Sequence, residues 1–536
     1  NAKRVDEGRI KVDLSCEISS KRKPRLHKIC THTSPSHNES RPQRMCTIFF
    51  VLVFTTLGHV LHCKQLHLPE PSLVYPAFLE GRGLSGSRIL KINKDITLNL
   101  KRSSGLAEEF LVRSYVNGIR KHTYLDGSYL EEDLFHDEDA MASVTISDEE
   151  GLQVEGMIGD KLRIIPALEQ ERSSDGRLAH WLHEIPDTYE GLRNDYVMSE
   201  RLHHNITERA RKKNVKKAEI IYPELFLLVD TVFAKQFKTH EKLIKYVCRT
   251  FNAVNLRYLS VHNPKVQFQL MGIEILSKSR ESFLAFLPRP PNCIEGLKSV
   301  YNMIRFFHAY LKDYKTYDLI YLITGRDMVT VQGPHIDHGN LGYAFIAAVC
   351  GERRVGLGED SAGTYAGVRV MGHELGHLMG CPHDGDRAPV ELGGPGSTSC
   401  PFNDGYVMSY SHTNTNQYKF SSCCDYLMSL MSWSPLGKCL HKKNAKSKLK
   451  KVGNSLPGKG IKKTTQCKLA FPDMPETYWM PKKKIINCQM QCFVPKRIVG
   501  YETHVELVLM DGTLCNRKRH VCINGRCRKA KKKYLP

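Results

Sequence analysis

Between residues 64 and 217 the chain has no cysteine, although 18 occur over its 536 positions. That gap excludes disulfides and thiolate metal ligands from the whole stretch. Long hydrophobic runs are missing as well. The longest, Cys46-TIFFVLVFTTLGHVL-His62, falls short of the roughly 20 apolar residues that a spanning helix requires, so no transmembrane anchor is expected. Acidic residues are scarce at the C-terminal end, where 441–536 holds 24 Lys and Arg against five Asp and Glu; the formal net charge of the chain is +22. Such a tail attracts polyanions. It lacks interleaved aromatics for stacking bases, which argues against nucleic acid as the partner. Sulphated glycans or anionic cell surfaces fit better, with Lys482, Lys483 and Lys484 and the run Lys531, Lys532 and Lys533 as contacts.

What is present begins with an export signal. Met45 directly precedes the short apolar run, which has the length of a signal-peptide core, and Gly58 offers a small residue for cleavage. We read 45–63 as a signal peptide and the polar, basic 1–44 as upstream, non-native sequence. Secretion places the cysteines in an oxidising compartment, where disulfides form. Fourteen of them lie between Cys248 and Cys527, an even number that suits bridges.

Composition then divides the chain. Residues 64–217 carry acid clusters such as EEDLFHDEDA (131–140) and close on the basic run RARKK (209–213), which reads as a removable pro-segment ending in a processing site. Asn205-Ile206-Thr207 is an N-glycosylation pattern, as expected on an exposed secreted surface. From 218 the texture changes. Leu225–Val229 has the length of a buried strand, 266–276 and 317–324 read as further strands, and 242–259 and 300–314 place apolar residues at helical spacing. Strands alternating with helices predict an α/β domain with a mostly parallel sheet over 218–440. The Lys-, Gly- and Ser-rich 441–466 reads as a linker. Residues 467–536, with six cysteines and few apolar runs, read as a small module held by disulfides.

The chemistry concentrates in HELGHLMGCPHDG (373–385). On a helix, residues four apart share a face, so His373 and His377 present their imidazoles to one point. Glu374 sits beside that point, where its carboxylate accepts a proton from water. Hydrolytic zinc takes three protein ligands and keeps a fourth position open, so two helical histidines are one short. Gly380 supplies the left-handed turn that ends the helix, and His383 then swings back to the same metal. The extended pattern HExxHxxGxxH arises by chance in about one chain in five thousand of this length, so these residues are assigned to one catalytic Zn2+. No structural Ca2+ site is assigned.

Downstream, CPFNDGYVMSY (400–410) places Met408 in a turn, and a long zinc motif followed by such a turn resembles the metzincins. Asp384 directly after the third histidine narrows the resemblance to the adamalysin or reprolysin branch, and the texture of HELGHLMGCPHDG and the short basic tail is most similar to secreted tick salivary metalloproteases. The likeness covers about 218–440 and implies a metzincin catalytic domain with an active-site helix. It also implies that Met408 forms an apolar floor beneath the imidazoles, that Asp384 is a buried carboxylate tying the domain together, and that Cys350 pairs with Cys439. By the same likeness, HGNLGYAFIAAVCG (338–351) resembles the edge strand that receives extended substrate. One departure stands out. Many relatives silence the precursor with a pro-segment cysteine on the zinc, and this chain has none there; His183 or His203 are the substitutes that the sequence offers.

The expected function is therefore a secreted zinc metalloendopeptidase that cleaves extracellular or host proteins, with matrix and clotting proteins as the class implied by the likeness. Its rival is an extracellular binding protein or antagonist acting mainly through the basic Cys-rich tail. Because histidines bind metal only when neutral, activity should fall as pH drops below about 6, where a free imidazole protonates. A pH–rate profile tests this, and an optimum near pH 4 contradicts it.

Overall fold

The computed structural model describes residues 70–82, 88–148, 150–185, 195–197, 218–290, 292–390, 392–411, 414–442, 458–515, 519–523 and 525–529. The stretches read as upstream sequence (1–44) and as a signal peptide (45–63), His203, the Asn205 pattern, the RARKK run, most of the stretch read as a linker and Lys531 to Lys533 lie outside these residues.

The strand Glu224–Val229 is buried at every position, as a strand covered on both faces must be. Its side chains alternate between two cores. Leu225, Leu227 and Val229 pack with the helix His240–Tyr258, whereas Phe226 and Leu228 pack with the helix Gly296–Ala309. Gln269–Ile275 and Leu319–Thr324 flank the strand in parallel, and Val355–Glu359 continues the row in parallel. Gly342–Phe345 joins antiparallel. The expected α/β architecture is thus a mixed, mostly parallel sheet with helices on both faces.

The N-terminal region is more deeply woven into this sheet than its composition suggests. Most of it forms a nine-stranded antiparallel sheet with its own core around Leu90, Leu98, Val144 and Ile164. Two long strands leave that sheet. Leu106–Val116 pairs in parallel with Gln269–Ile275, and Ile119–Asp126 pairs antiparallel with Leu106–Val116. A further piece, Tyr196–Val197, pairs in parallel with Ala344–Phe345 at the opposite edge. One eight-stranded sheet therefore draws strands from both sides of residue 218.

The helix His240–Tyr258 reads as amphipathic, yet both of its faces are covered. Thr239 caps it by accepting from the Lys242 amide. The face away from the central sheet carries Arg249 and Arg257, each only 1% exposed. Arg249 pairs with Glu155 at 2.5 Å and Arg257 pairs with Asp160, both carboxylates coming from the N-terminal region. Polar periodicity here marks an ion-paired interface, not a solvated face.

Five disulfides join described residues: Cys350–Cys439, Cys381–Cys424, Cys400–Cys423, Cys467–Cys492 and Cys488–Cys522. The last two staple the C-terminal module, whose core includes Phe471, Met490 and Leu507. The even cysteine count does not become complete pairing. Cys248 and Cys293 are buried thiols, and Cys515 and Cys527 are unbonded. Cys248 serves as a small apolar residue inside its helix, where burial pushes the thiol up to about 12.

One buried seam between the N-terminal region and the central sheet is Arg113–Glu274, a 2.5 Å ion pair with both side chains buried. The Tyr115 and Tyr314 hydroxyls donate to the same carboxylate at 2.7 and 2.6 Å. Removing the guanidinium strands a buried charge. Arg113→Ala should lower the stability of the full chain by about 3–5 kcal/mol, measured by urea unfolding.

Candidate active site

The helix Gly367–Leu378 packs between the central sheet and the helix His240–Tyr258, with His373, Glu374 and His377 all buried. It ends where the glycine stands. Gly380 has φ +108°, and a Cβ there would come within 2.9 Å of Leu392. The Cys381 amide donates to the Gly376 carbonyl at 3.0 Å, and the reversed chain carries His383 back to the helix.

The three rings converge through Nε2. Those of His373 and His383 stand 3.2 Å apart, and the His377 Nε2 is buried without a hydrogen-bond partner among the described residues. The opposite nitrogens are held: His373 Nδ1 lies 2.7 Å from the Val407 carbonyl and His377 Nδ1 lies 2.7 Å from the Cys381 carbonyl. A carbonyl only accepts, so each Nδ1 carries the proton and each Nε2 presents a lone pair. Burial pushes His377 down to about 3, so this ring stays neutral where a free imidazole charges and does not contribute to the loss of activity expected below about pH 6. Donors on a tetrahedral zinc with bonds of about 2.0–2.1 Å stand roughly 3.3 Å apart, so the observed spacing suits that ion.

Met408 and Asp384 both lie close to this helix and its reversal. Met408 is fully buried, and its sulfur lies 2.7 Å from where a Cβ on Gly376 would be, directly against the ligand helix. Asp384 is buried; its carboxylate accepts from the Ser421 hydroxyl at 2.6 Å, and its amide donates to the Met408 carbonyl at 3.0 Å. That ties the third-histidine segment to the methionine turn and to the helix Ser422–Trp433, which Ser421 caps. Burial raises Asp384 to about 6. Cys381–Cys424 and Cys400–Cys423 brace the same turn from either end.

Glu374 fills the space between the ligand helix and the edge strand Gly342–Phe345. Burial, then the nearby Asp195 carboxylate, lifts its pKa well above the ordinary carboxylate value.

Three residues that the motif reading did not single out complete the site. Asp195 reaches all three histidines: its Oδ1 lies 2.9 Å from His383 Nε2 and 3.3 Å from His377 Nε2, and its Oδ2 lies 3.3 Å from His373 Nε2. These four side chains form one buried group with metal-ligating geometry. Burial works against the Asp195 charge, but the histidines outweigh it and hold the carboxyl well below its usual range. Tyr410 lies along the His373 ring, and its hydroxyl reaches both the Asp195 carboxylate and, at 2.7 Å, His383 Nε2. Tyr196 lies against His377 and His383 and donates to Asp386 at 2.9 Å. His183, by contrast, sits in the strand His180–Glu184 opposite Arg163 and is not part of this group. A search for cysteine or histidine in the N-terminal region passes over an aspartate, whereas Tyr410 stood in plain view two residues after Met408.

Residues 224–421 match the metallopeptidase family M12, as Reprolysin_5. The chain is 27% identical over 382 residues to "Venom metalloproteinase antarease-like TtrivMP_A" of Tityus trivittatus, an alignment that takes in 69% of this chain and 92% of that protein. It is 25% identical over 360 residues to "Venom metalloproteinase BumaMPs1" of Olivierus martensii, with 66% and 87% covered. "A disintegrin and metalloproteinase with thrombospondin motifs like" of Bombyx mori is 27% identical over 357 residues, 62% of this chain and 49% of that protein. These relatives support the resemblance at the level of the reprolysin branch and add nothing to its narrower form, the tick salivary enzymes.

Gly342 allows the close approach of Glu374: a Cβ there would stand 2.3 Å from its Oε1. Gly342→Ala should displace that carboxylate and reduce turnover by about 100-fold while zinc content holds, checked by steady-state kinetics and metal analysis on one preparation.

Proposed function

Because residues 224–421 belong to the reprolysin-type metallopeptidases of family M12, we propose that the protein is a secreted zinc-dependent metalloendopeptidase made as a precursor, with 64–217 as its pro-segment and 218–440 as its catalytic domain. One observation carries the reading: three buried imidazoles, two of them held in one tautomer by backbone carbonyls, turn their Nε2 atoms to a common point, with the Glu374 carboxylate one helical position away.

His373, His377 and His383 would hold the ion. When bound, zinc supplies a Lewis acid that polarises the scissile carbonyl and makes water acidic enough to be deprotonated near pH 7. Glu374 is the general base that takes the proton from water, and it then passes the proton to the leaving amine. Its burial suits both halves of that task, since a desolvated carboxylate binds a proton more readily than a free one. The edge strand Gly342–Phe345 aligns the substrate backbone. Beyond its end, a cleft of about 830 Å³ lined by Tyr301, Phe345, Ala347, Leu436 and the Cys350–Cys439 bridge offers room for a substrate side chain. Extracellular proteins, with matrix and clotting proteins among them, are the substrate class that we assign, and the venom enzymes similar to this chain support that direction.

Replacing Glu374 by Ala should leave fold and zinc content unchanged and lower protein cleavage by about 100-fold or more, read by zymography and metal analysis. Full activity in that variant ends the assignment.

The basic tail supports an accessory role. Lys482, Lys483 and Lys484 are exposed, which suits attachment to sulphated glycans. The full chain should be retained on heparin and released by salt, and charge reversal at these three lysines should move elution to lower salt, as heparin chromatography will read.

A further inference from the structure

We propose that Asp195 is the latency ligand of the precursor: its carboxylate takes the fourth position on the metal held by His373, His377 and His383, doing by oxygen what a cysteine thiolate does in relatives. The inference rests on the metallopeptidase reading of the site and adds its regulation.

Four observations converge on it. The carboxylate oxygens stand 2.9, 3.3 and 3.3 Å from the three Nε2 atoms, close to the roughly 3.3 Å edge of a tetrahedral zinc site. Asp195 is fully buried, and its chain comes from the stretch read as the pro-segment. The backbone around it lies on the edge strand: the Ala344 amide donates to the Asp195 carbonyl and the Ile346 amide to the Val197 carbonyl, each at 3.2 Å. The edge that would receive a substrate is therefore already paired. Finally, the space bounded by Asp195, His373, Glu374 and Tyr410 is about 10 Å³, at the lower limit for one water molecule and too small for a peptide.

The geometry also sets the segment apart from a substrate. The group aimed at the metal is a side-chain carboxylate, while the Asp195 carbonyl is turned to the edge-strand amide. The carbonyls of Asp195 and Val197 are both taken up by edge-strand amides. Tyr196 and Tyr410 hold the latch from either side, one against the rings of His377 and His383 and the other through its hydroxyl to the carboxylate.

The test uses the full-length precursor loaded with cobalt(II) or zinc. In Asp195→Cys, a thiolate placed at the fourth position should produce a thiolate-to-cobalt charge-transfer band, which Asp195→Ser should lack. In Asp195→Asn and Asp195→Ala, zinc loss to a chelator should accelerate by about tenfold or more, and the uncut precursor should gain peptidase activity. The absence of the band in a folded, cobalt-loaded Asp195→Cys precursor, or unchanged zinc release in both neutral variants, overturns the proposal. Because band and release rate do not depend on turnover, a precursor that passes both yet never cleaves a peptide would retire the endopeptidase reading and leave the ligand assignment standing. A synthetic peptide spanning 192–200 provides a check free of folding effects. It should inhibit the processed enzyme, the same peptide carrying Asp195→Asn should not, and equal potency of the two would count against the latch.

Discussion

The structure turns on how buried imidazoles are held before any metal arrives. His373 and His377 are oriented by backbone carbonyls that accept from Nδ1, and those carbonyls belong to the methionine turn and to the chain reversal after the helix. A side chain held through hydrogen bonds to the backbone moves only if the backbone moves. The disulfides, the Gly380 turn, the Asp384–Ser421 hydrogen bond and the close packing of Met408 on Gly376 all serve that constraint. They hold the active-site helix, its reversal and the methionine turn together and keep the Nε2 lone pairs of His373 and His377 turned inward.

The same arrangement makes the site vulnerable to any anionic side chain that reaches it. Three converging nitrogens in a dry pocket favour a negative partner, and Asp195 supplies one. The N-terminal region is delivered there by sheet pairing at both edges of the central sheet, with Leu106–Val116 on one side and Tyr196–Val197 on the other. Between these edges, Arg249 and Arg257 meet Glu155 and Asp160 across the helix His240–Tyr258. The interface thus combines strand addition with charge pairing. Charged groups of this kind accept water again when separated.

Much of the central sheet was legible from runs of apolar residues because strands and helices there are covered by one another, so their patterns report the core they build. The convergence of the three histidines was equally legible, since HExxHxxGxxH encodes its own geometry: a helical period for two histidines, a glycine for the turn, and a third histidine at the reach of the reversed chain. The pairing of the cysteines was not. Cys381, Cys400, Cys423 and Cys424 lie close enough in sequence to allow several connectivities, and only the fold of the methionine turn against the helix Ser422–Trp433 selects Cys381–Cys424 and Cys400–Cys423.

Sequence alone therefore determined the chemistry of the centre, because a helix periodicity and a glycine turn act over a few residues and need nothing distant. Tertiary structure alone decided what faces that centre. Asp195 lies 178 positions before His373 in a stretch without cysteine, and no local pattern marks it. Its role follows from a short strand that pairs with the sheet edge and so points one carboxylate at three imidazoles. Long-range pairing of backbone is set by register and by the shape of the sheet, which a linear reading of residues does not contain.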